Sequence, residues 1–120
     1  MNAQINKTKF GSIQIEGITY NHDVIIGLNG AVKKRKKKLS KAIYGTSHKV
    51  SSDEAQYIYE KGAERLIIGC GQYGALYLSS EAEQFFQERD MKVEIYPTPE
   101  AIRIWNYTKG KAIGLFHVTC

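Results

Sequence analysis

Apolar and polar positions change rhythm along this chain, and the changes mark its elements. Residues 10–20 alternate weakly, with Ile13, Ile15, Ile18 and Tyr20 as inward positions around Gly17. DVIIGL (23–28) is a β-branched run that stops at Asn29-Gly30. Asn-Gly between two such runs is the strongest short-range hairpin signal, because both residues accept φ > 0. The return segment AVKKRKK is polar at most positions, which predicts a strand at a sheet edge or rim. The first third therefore reads as an antiparallel meander.

From residue 51 the period lengthens. Ser51-x-x-Glu54 has the form of a capping box, and Ala55, Ile58, Tyr59 and Gly62 follow at helical spacing. RLIIGC (65–70) is a short apolar strand, and ALYLSS after Gly74 reads as another. Ser80-x-x-Glu83 opens a second helix, with Ala82, Phe85, Phe86 and Arg89 along one stripe. KVEIY (92–96) is a strand. Thr98-Pro99-Glu100 then starts a third helix with a cap, a first-turn proline and an acid at the positive dipole end. Ile102 and Trp105 face inward from it, Gly110 ends it, and KAIGLFHVTC returns as the last strand. No linker or repeat divides the chain, so residues 1–120 read as one domain. The order predicts an α/β fold: a mixed central sheet, an added N-terminal β-meander layer, and helices packed on the sheet. Right-handed crossovers set strands 65–70 and 92–96 parallel, with their C-terminal ends on one side, where open α/β sheets form crevices.

Charge changes this picture at one place. Eight of the seventeen basic side chains fall within residues 33–49, where no acid occurs, leaving nine basic against twelve acidic residues elsewhere. Six are consecutive: Lys33, Lys34, Arg35, Lys36, Lys37 and Lys38. The run reads first as a solvated strand edge guarded by lysines. It could also be a phosphate footprint or a surface for an acidic protein partner. No aromatic interleaves it, and Tyr44 is the nearest; RNA binding by stacking is thus the weaker reading. The N-terminus lacks the pattern of a signal peptide and no apolar run reaches the roughly 20 residues of a membrane span. Cys70 and Cys120, fifty positions apart, make no disulfide framework. A cytoplasmic setting without membrane association is expected.

LIIGCGQYG (66–74) carries Gly69-x-Gly71-x-x-Gly74, the spacing of a dinucleotide loop. Such a loop needs its third glycine to open a helix and an acid at the end of a later strand. Here Gly74 precedes a strand-like segment, Asp90 falls in a turn, and the Walker lysine is missing. A tight turn is the better reading. The histidines divide similarly. His48 could orient its own loop or line a ligand site; His117 lies within an apolar strand, as core histidines do. In an extended strand 117 and 120 point to opposite faces, which sets a His117–Cys120 dyad aside. A zinc site from His22, His48, His117, Cys70 and Cys120 lacks a close ligand pair in sequence. No metal or cofactor is expected.

Phe10-Gly11-x-Ile13, Gly17 with Tyr20, Asp23-Val24 and Tyr44-Gly45-Thr46-Ser47-His48 together form one set of blocks. Gly69-x-Gly71-x-Tyr73-Gly74, Pro97-Thr98-Pro99-Glu100-Ala101, Asn106 and His117-Val118-Thr119-Cys120 form a second. From about residue 10 to residue 120 the chain resembles the adipogenesis-associated MTH-type domain family, small and mostly uncharacterised proteins. Its mitochondrial branch includes an assembly factor for respiratory complex I. The resemblance implies a compact α/β fold with a mixed sheet and an extra β layer, and it implies no established reaction. Cys70 departs from the small hydroxyl residue common between those glycines. No mitochondrial presequence is read ahead of the blocks, so the complex I role is not expected of this chain on the resemblance alone.

The expected ligand crevice joins the 69–74 loop to residues 96–98, where free N–H groups of a glycine turn and a helix start would meet a carboxylate or phosphate. Its candidate residues are Gly69, Gly71, Tyr73, Thr98, His48 and Asn106. YGTSH is expected to pack on the domain, satisfying its own backbone. With no activated nucleophile or acid–base pair legible, a non-enzymatic binding or assembly-type module is the favoured reading. A small-molecule enzyme using His48 in the crevice is the alternative.

Overall fold

Strict alternation along the central strands decides how the layers stack. The computed structural model describes residues 2–120. Strands β1 (Ile5–Lys9), β2 (Ser12–Ile15) and β3 (Ile18–Tyr20) form an antiparallel three-stranded sheet. Next come β4 (Val24–Ile26), β5 (Val32–Lys34), helix α1 (Lys38–Tyr44), β6 (Lys49–Val50) and α2 (Ser52–Ile58). The chain continues through β7 (Arg65–Cys70), β8 (Tyr77–Leu78), α3 (Ser80–Gln87), β9 (Lys92–Tyr96), α4 (Thr98–Tyr107) and β10 (Ala112–His117). The main sheet has the order β5-β4-β10-β7-β9; β10, β7 and β9 run parallel, while β4 is antiparallel to β10 and β5. β6 and β8 pair as a short parallel ladder beside it.

Odd and even positions of the main strands serve different cores. Ile25, Leu66, Ile68, Ile113 and Leu115 face α2 and α3, meeting Ala55, Ile58, Ala82 and Phe86. Val24, Ile26, Ile67, Ala112 and Phe116 face the other way, toward Ala101, Ile102 and Trp105 of α4 and Ile5, Ile13 and Ile15 of the small sheet. Both faces of β7 and β10 are thus dry, as a parallel sheet covered on two sides requires. The mixed sheet with its extra β layer is the architecture expected from the sequence.

Several details differ from expectation. Only Gly30 of the Asn29-Gly30 pair takes positive φ (+83°). The turn is closed by Gly30 N donating to Gly27 O (3.0 Å), and Asn29 uses its side chain to accept from Ala31 N (3.0 Å). The return strand stops at Lys34, short of the AVKKRKK run, and helix α1 follows over residues to which periodicity assigned no element. β1, too polar to announce itself, is fixed by its partner β2. The α3 cap is Ser79, whose hydroxyl accepts from Ala82 N (3.0 Å), one residue earlier than the Ser80 motif suggested. YGTSH does cap and pack itself: Gly45 closes α1 at φ +72° and Thr46 Oγ1 accepts from His48 N (3.2 Å).

Gly114 lets α4 lie close on β10. A Cβ there would stand 2.6 Å from Phe116 Cε2 and 3.0 Å from Trp105 Cζ3, inside a core with no slack. Gly114→Ala is expected to cost about 1–3 kcal/mol by overpacking, measured as a fall in the urea midpoint at unchanged m-value.

Candidate functional site

Three strand ends meet at one end of the main sheet. Asp23 immediately precedes β4, Arg35 immediately follows β5, and His117 is the last residue of β10. Antiparallel pairing of β4 with both neighbours brings them together. Arg35 is buried: its Nη1 donates to Asp23 Oδ2 (2.9 Å), and Nε and Nη2 form a fork on Glu54 at 2.5 and 3.0 Å. Nη2 also reaches the Ser47 carbonyl. This corrects the uniform basic patch read from KKRKKK, since Arg35 points into the core. It also corrects the capping box. Ser51 Oγ accepts from Glu54 N (3.1 Å), but the Glu54 carboxylate does not return the bond. Ser40 Oγ relays it, accepting from Ser51 N (2.9 Å) and donating to Glu54.

Asp23 is equally committed. Its Oδ2 accepts from His117 Nδ1 (2.7 Å) and its Oδ1 from Val118 N (2.8 Å). Burial alone would push this carboxyl up. The hydrogen bond and charge of His117, with further bonds from the Val118 N–H and Arg35, outweigh burial and hold it down at about 2. An ionised carboxylate can only accept, so the Asp23-facing Nδ1 carries a proton and Nε2 is turned away from Asp23.

β10 ends at His117, and alternation ends with it. Residues 118–120 instead fold against neighbouring loops: Val118 O accepts from Gly11 N (2.8 Å), Thr119 O from Gln72 N (2.7 Å), and Cys120 O from Tyr73 N (3.1 Å) and Ala75 N (3.0 Å). The thiol therefore returns to the imidazole side, contrary to strand geometry, and meets His48 as well as His117. Cys120 Sγ lies 3.7 Å from His48 Nε2, and the two histidine rings stand edge to face with centroids 5.4 Å apart. One ligand atom from each of His48, His117 and Cys120 falls within 4.8 Å of the others. The sequence argument against such a group assumed that ligands must be close along the chain. His22 is outside this group, and Cys70, although paired with His117 across the β7–β10 ladder, has its side chain in the core, where burial pushes its thiol up.

The glycine loop is occupied by the chain itself. Thr98 Oγ1 accepts from Gly71 N (2.9 Å) and donates to His117 O (2.6 Å), while Thr98 N donates to Gly71 O (3.0 Å). Thr98 is the first residue of α4, not its cap, and makes no cap bond to the helix. Gly71 has φ +108°, and a Cβ there would sit 2.4 Å from the Cys120 carbonyl carbon. The N–H groups of 71, 72, 73 and 75 are thus spent internally. Gly69 packs under Thr98. Tyr73 is 81% exposed and leans on Phe10 with centroids 6.2 Å apart. Asn106 lies eight residues along α4, about 12 Å from Thr98 at the helical rise, and pairs with both the N–H and the carbonyl of Ile5. Of the expected crevice residues, the fold brings together Gly69, Gly71, Thr98 and, through residues 117–120, His48; Tyr73 and Asn106 do not join them.

The rest of the basic run makes a surface. Lys33 Nζ lies 3.9 Å and Lys36 Nζ 4.6 Å from the centroid of Tyr57, an aromatic contributed from α2 that the run itself lacks. Lys34, Lys36, Lys37 and Lys38 line a cleft of about 640 Å³ together with Gly11, His22, Asp23, Val118 and Thr119.

Over residues 5–114 the chain matches the family model described as "Protein of unknown function (DUF498/DUF598)". The chain belongs to the DUF498/DUF598 family. Among solved structures, this DUF498/DUF598 chain is similar to the conserved hypothetical protein PH1505 from Pyrococcus horikoshii OT3. The two are 32% identical over 98% of this chain and 99% of the other, with a TM-score of 0.88. The protein MT938 is 31% identical over 98% and 99%, with a TM-score of 0.82. A Mth938-like domain protein of Bordetella pertussis shares the fold at 13% identity over 97% and 85%, with a TM-score of 0.69. No described helix is long and apolar enough to cross a membrane.

Two outcomes follow from the bonds at this end of the sheet. Thr98→Val removes the hydroxyl that serves both Gly71 N and His117 O in a buried place. The expected loss is about 1–3 kcal/mol, with α4 helicity retained, as amide exchange would report. Asp23 has a folded pKa below its unfolded value of 3.8; its contribution is therefore complete above that value and is lost as pH falls toward 2. Urea titrations should show the stability gap between wild type and Asp23→Asn narrowing by about 2 kcal/mol from pH 5 to pH 2.

Proposed function

We propose that this DUF498/DUF598 chain is a non-enzymatic binding module that takes a small polyanion, a phosphate-bearing or polycarboxylate molecule, in the lysine-lined cleft. The observation carrying this reading is the cleft's uncompensated charge. Four lysines line it; the one carboxylate among its described lining residues, Asp23, is bound by Arg35 and His117 and stands 3.8 Å from Lys37, so three of the lysines, Lys34, Lys36 and Lys38, exceed it. The volume of about 640 Å³ suits a small molecule. Its charged groups offer attraction and hydrogen-bond donors, without a nucleophile paired to a base. The anion site therefore moves from the glycine loop, whose donors are consumed, to the face of the basic run.

The test pairs thermal shift with titration calorimetry, using inorganic triphosphate, citrate and a single-stranded RNA at two salt concentrations. Triphosphate or citrate should raise the melting temperature, since a ligand at 100 times its Kd adds about 2.7 kcal/mol. Lys34→Gln/Lys36→Gln/Lys38→Gln should remove that response while leaving unliganded stability within about 0.5 kcal/mol. No shift with any anion at low salt would overturn the reading. RNA binding tighter than triphosphate, with a steep salt slope, would replace it by a nucleic-acid surface.

A further inference from the structure

His48 comes from one loop and His117 and Cys120 from the end of β10, yet a potential ligand atom from each lies within 4.8 Å of the others. A tetrahedral ion with metal–sulfur bonds of roughly 2.3 Å and metal–nitrogen bonds of about 2.0 Å holds its S and N ligands about 3.5 Å apart. Cys120 Sγ and His48 Nε2 are 3.7 Å apart, and all three ligand atoms lie within 4.8 Å of one another. His117 carries the outer partner that metal-bound histidines require: Nδ1 donates to Asp23, which fixes the ring and presents Nε2. Thr119 Oγ1 lies 3.4 Å from that nitrogen and can rotate away. His48 and Cys120 are partly exposed, which leaves the place reachable from solvent.

We infer that His48, His117 and Cys120 form a three-ligand site for a divalent ion of the zinc class, with a fourth position for water or an exogenous ligand. One thiolate and two imidazoles are a borderline-soft donor set, suited to zinc and unsuited to magnesium or calcium. Binding forms a metal–sulfur bond and releases the Cys120 proton to the buffer. Cys70, buried in the core, takes no part.

Cobalt(II) titration of the full chain reads this directly. Wild type should develop a thiolate-to-cobalt charge-transfer band and tetrahedral visible bands that saturate at one equivalent, with one proton released per ion, and zinc should abolish them. Cys120→Ser should lose the charge-transfer band, Cys70→Ser should keep it, and His48→Ala should weaken binding at least tenfold. Circular dichroism verifies that these variants, two of them at partly exposed positions, remain folded. Asp23→Asn, if folded, should weaken binding about 10- to 100-fold, as loss of an outer partner does. The lysine triple variant should keep the bands, which separates this site from the anion cleft. Absence of the charge-transfer band in wild type, its survival in Cys120→Ser, its loss in Cys70→Ser, or weak binding that ignores His48→Ala would each overturn the assignment.

Discussion

A guanidinium buried between two carboxylates sets the terms for one whole edge of this protein. Taking an arginine out of water is costly, and its partners repay that cost only when each of its nitrogens finds an acceptor in good geometry. Arg35 meets this condition with Asp23 at the start of β4, Glu54 in the first turn of α2, and the Ser47 carbonyl ahead of β6. Those partners belong to different layers, so the requirement of one side chain fixes how hairpin, loop and helix approach each other. Asp23 passes the constraint on through His117 and the Val118 N–H. The end of β10 is consequently placed by electrostatics as much as by the apolar strand behind it.

That placement shapes what the edge can offer a ligand. Carbonyls of residues 119 and 120 take the donors of the glycine loop, which closes the crevice that α/β sheets commonly leave open at their strand ends. The same turn of chain swings Cys120 toward His48 and leaves Val118 and Thr119 along the lysine cleft. Asp23 belongs to both regions, bonded to His117 and lining the cleft. The lysine-lined cleft and the His48–His117–Cys120 group therefore share one buried acid.

Much of the fold was legible because periodicity follows burial. RLIIGC and KVEIY announce themselves as strands, and Ala82 with Phe86 or Ile102 with Trp105 marks the buried face of a helix. What stayed hidden depends on contacts across the chain. INKTK is a strand because β2 pairs with it, and KLSKAIY is a helix whose buried contact is one serine, Ser40. Arg35 looked like its five lysine neighbours, since nothing local distinguishes a buried arginine from an exposed one. Thr98 had the sequence of a cap and the position of a tie between two loops. The His48–His117–Cys120 group could not be read from spacing, because His48 lies far from the other two in sequence and β10 stops three residues before Cys120.

The order of the main sheet also bears on how the chain must be assembled. β10 lies between β4 and β7, although it follows both in sequence by more than forty residues. During synthesis the β4–β5 hairpin and the parallel β7–β9 pair emerge as two half-sheets with no shared partner. Each then presents a raw hydrogen-bonding edge flanked by isoleucines, the kind of surface that recruits other chains. Closure of the sheet waits for residues 112–117, so its central pairings join segments distant in sequence, the kind of contact that slows folding. A ribosome that stalls before that strand releases two sticky halves in place of a partly stable intermediate.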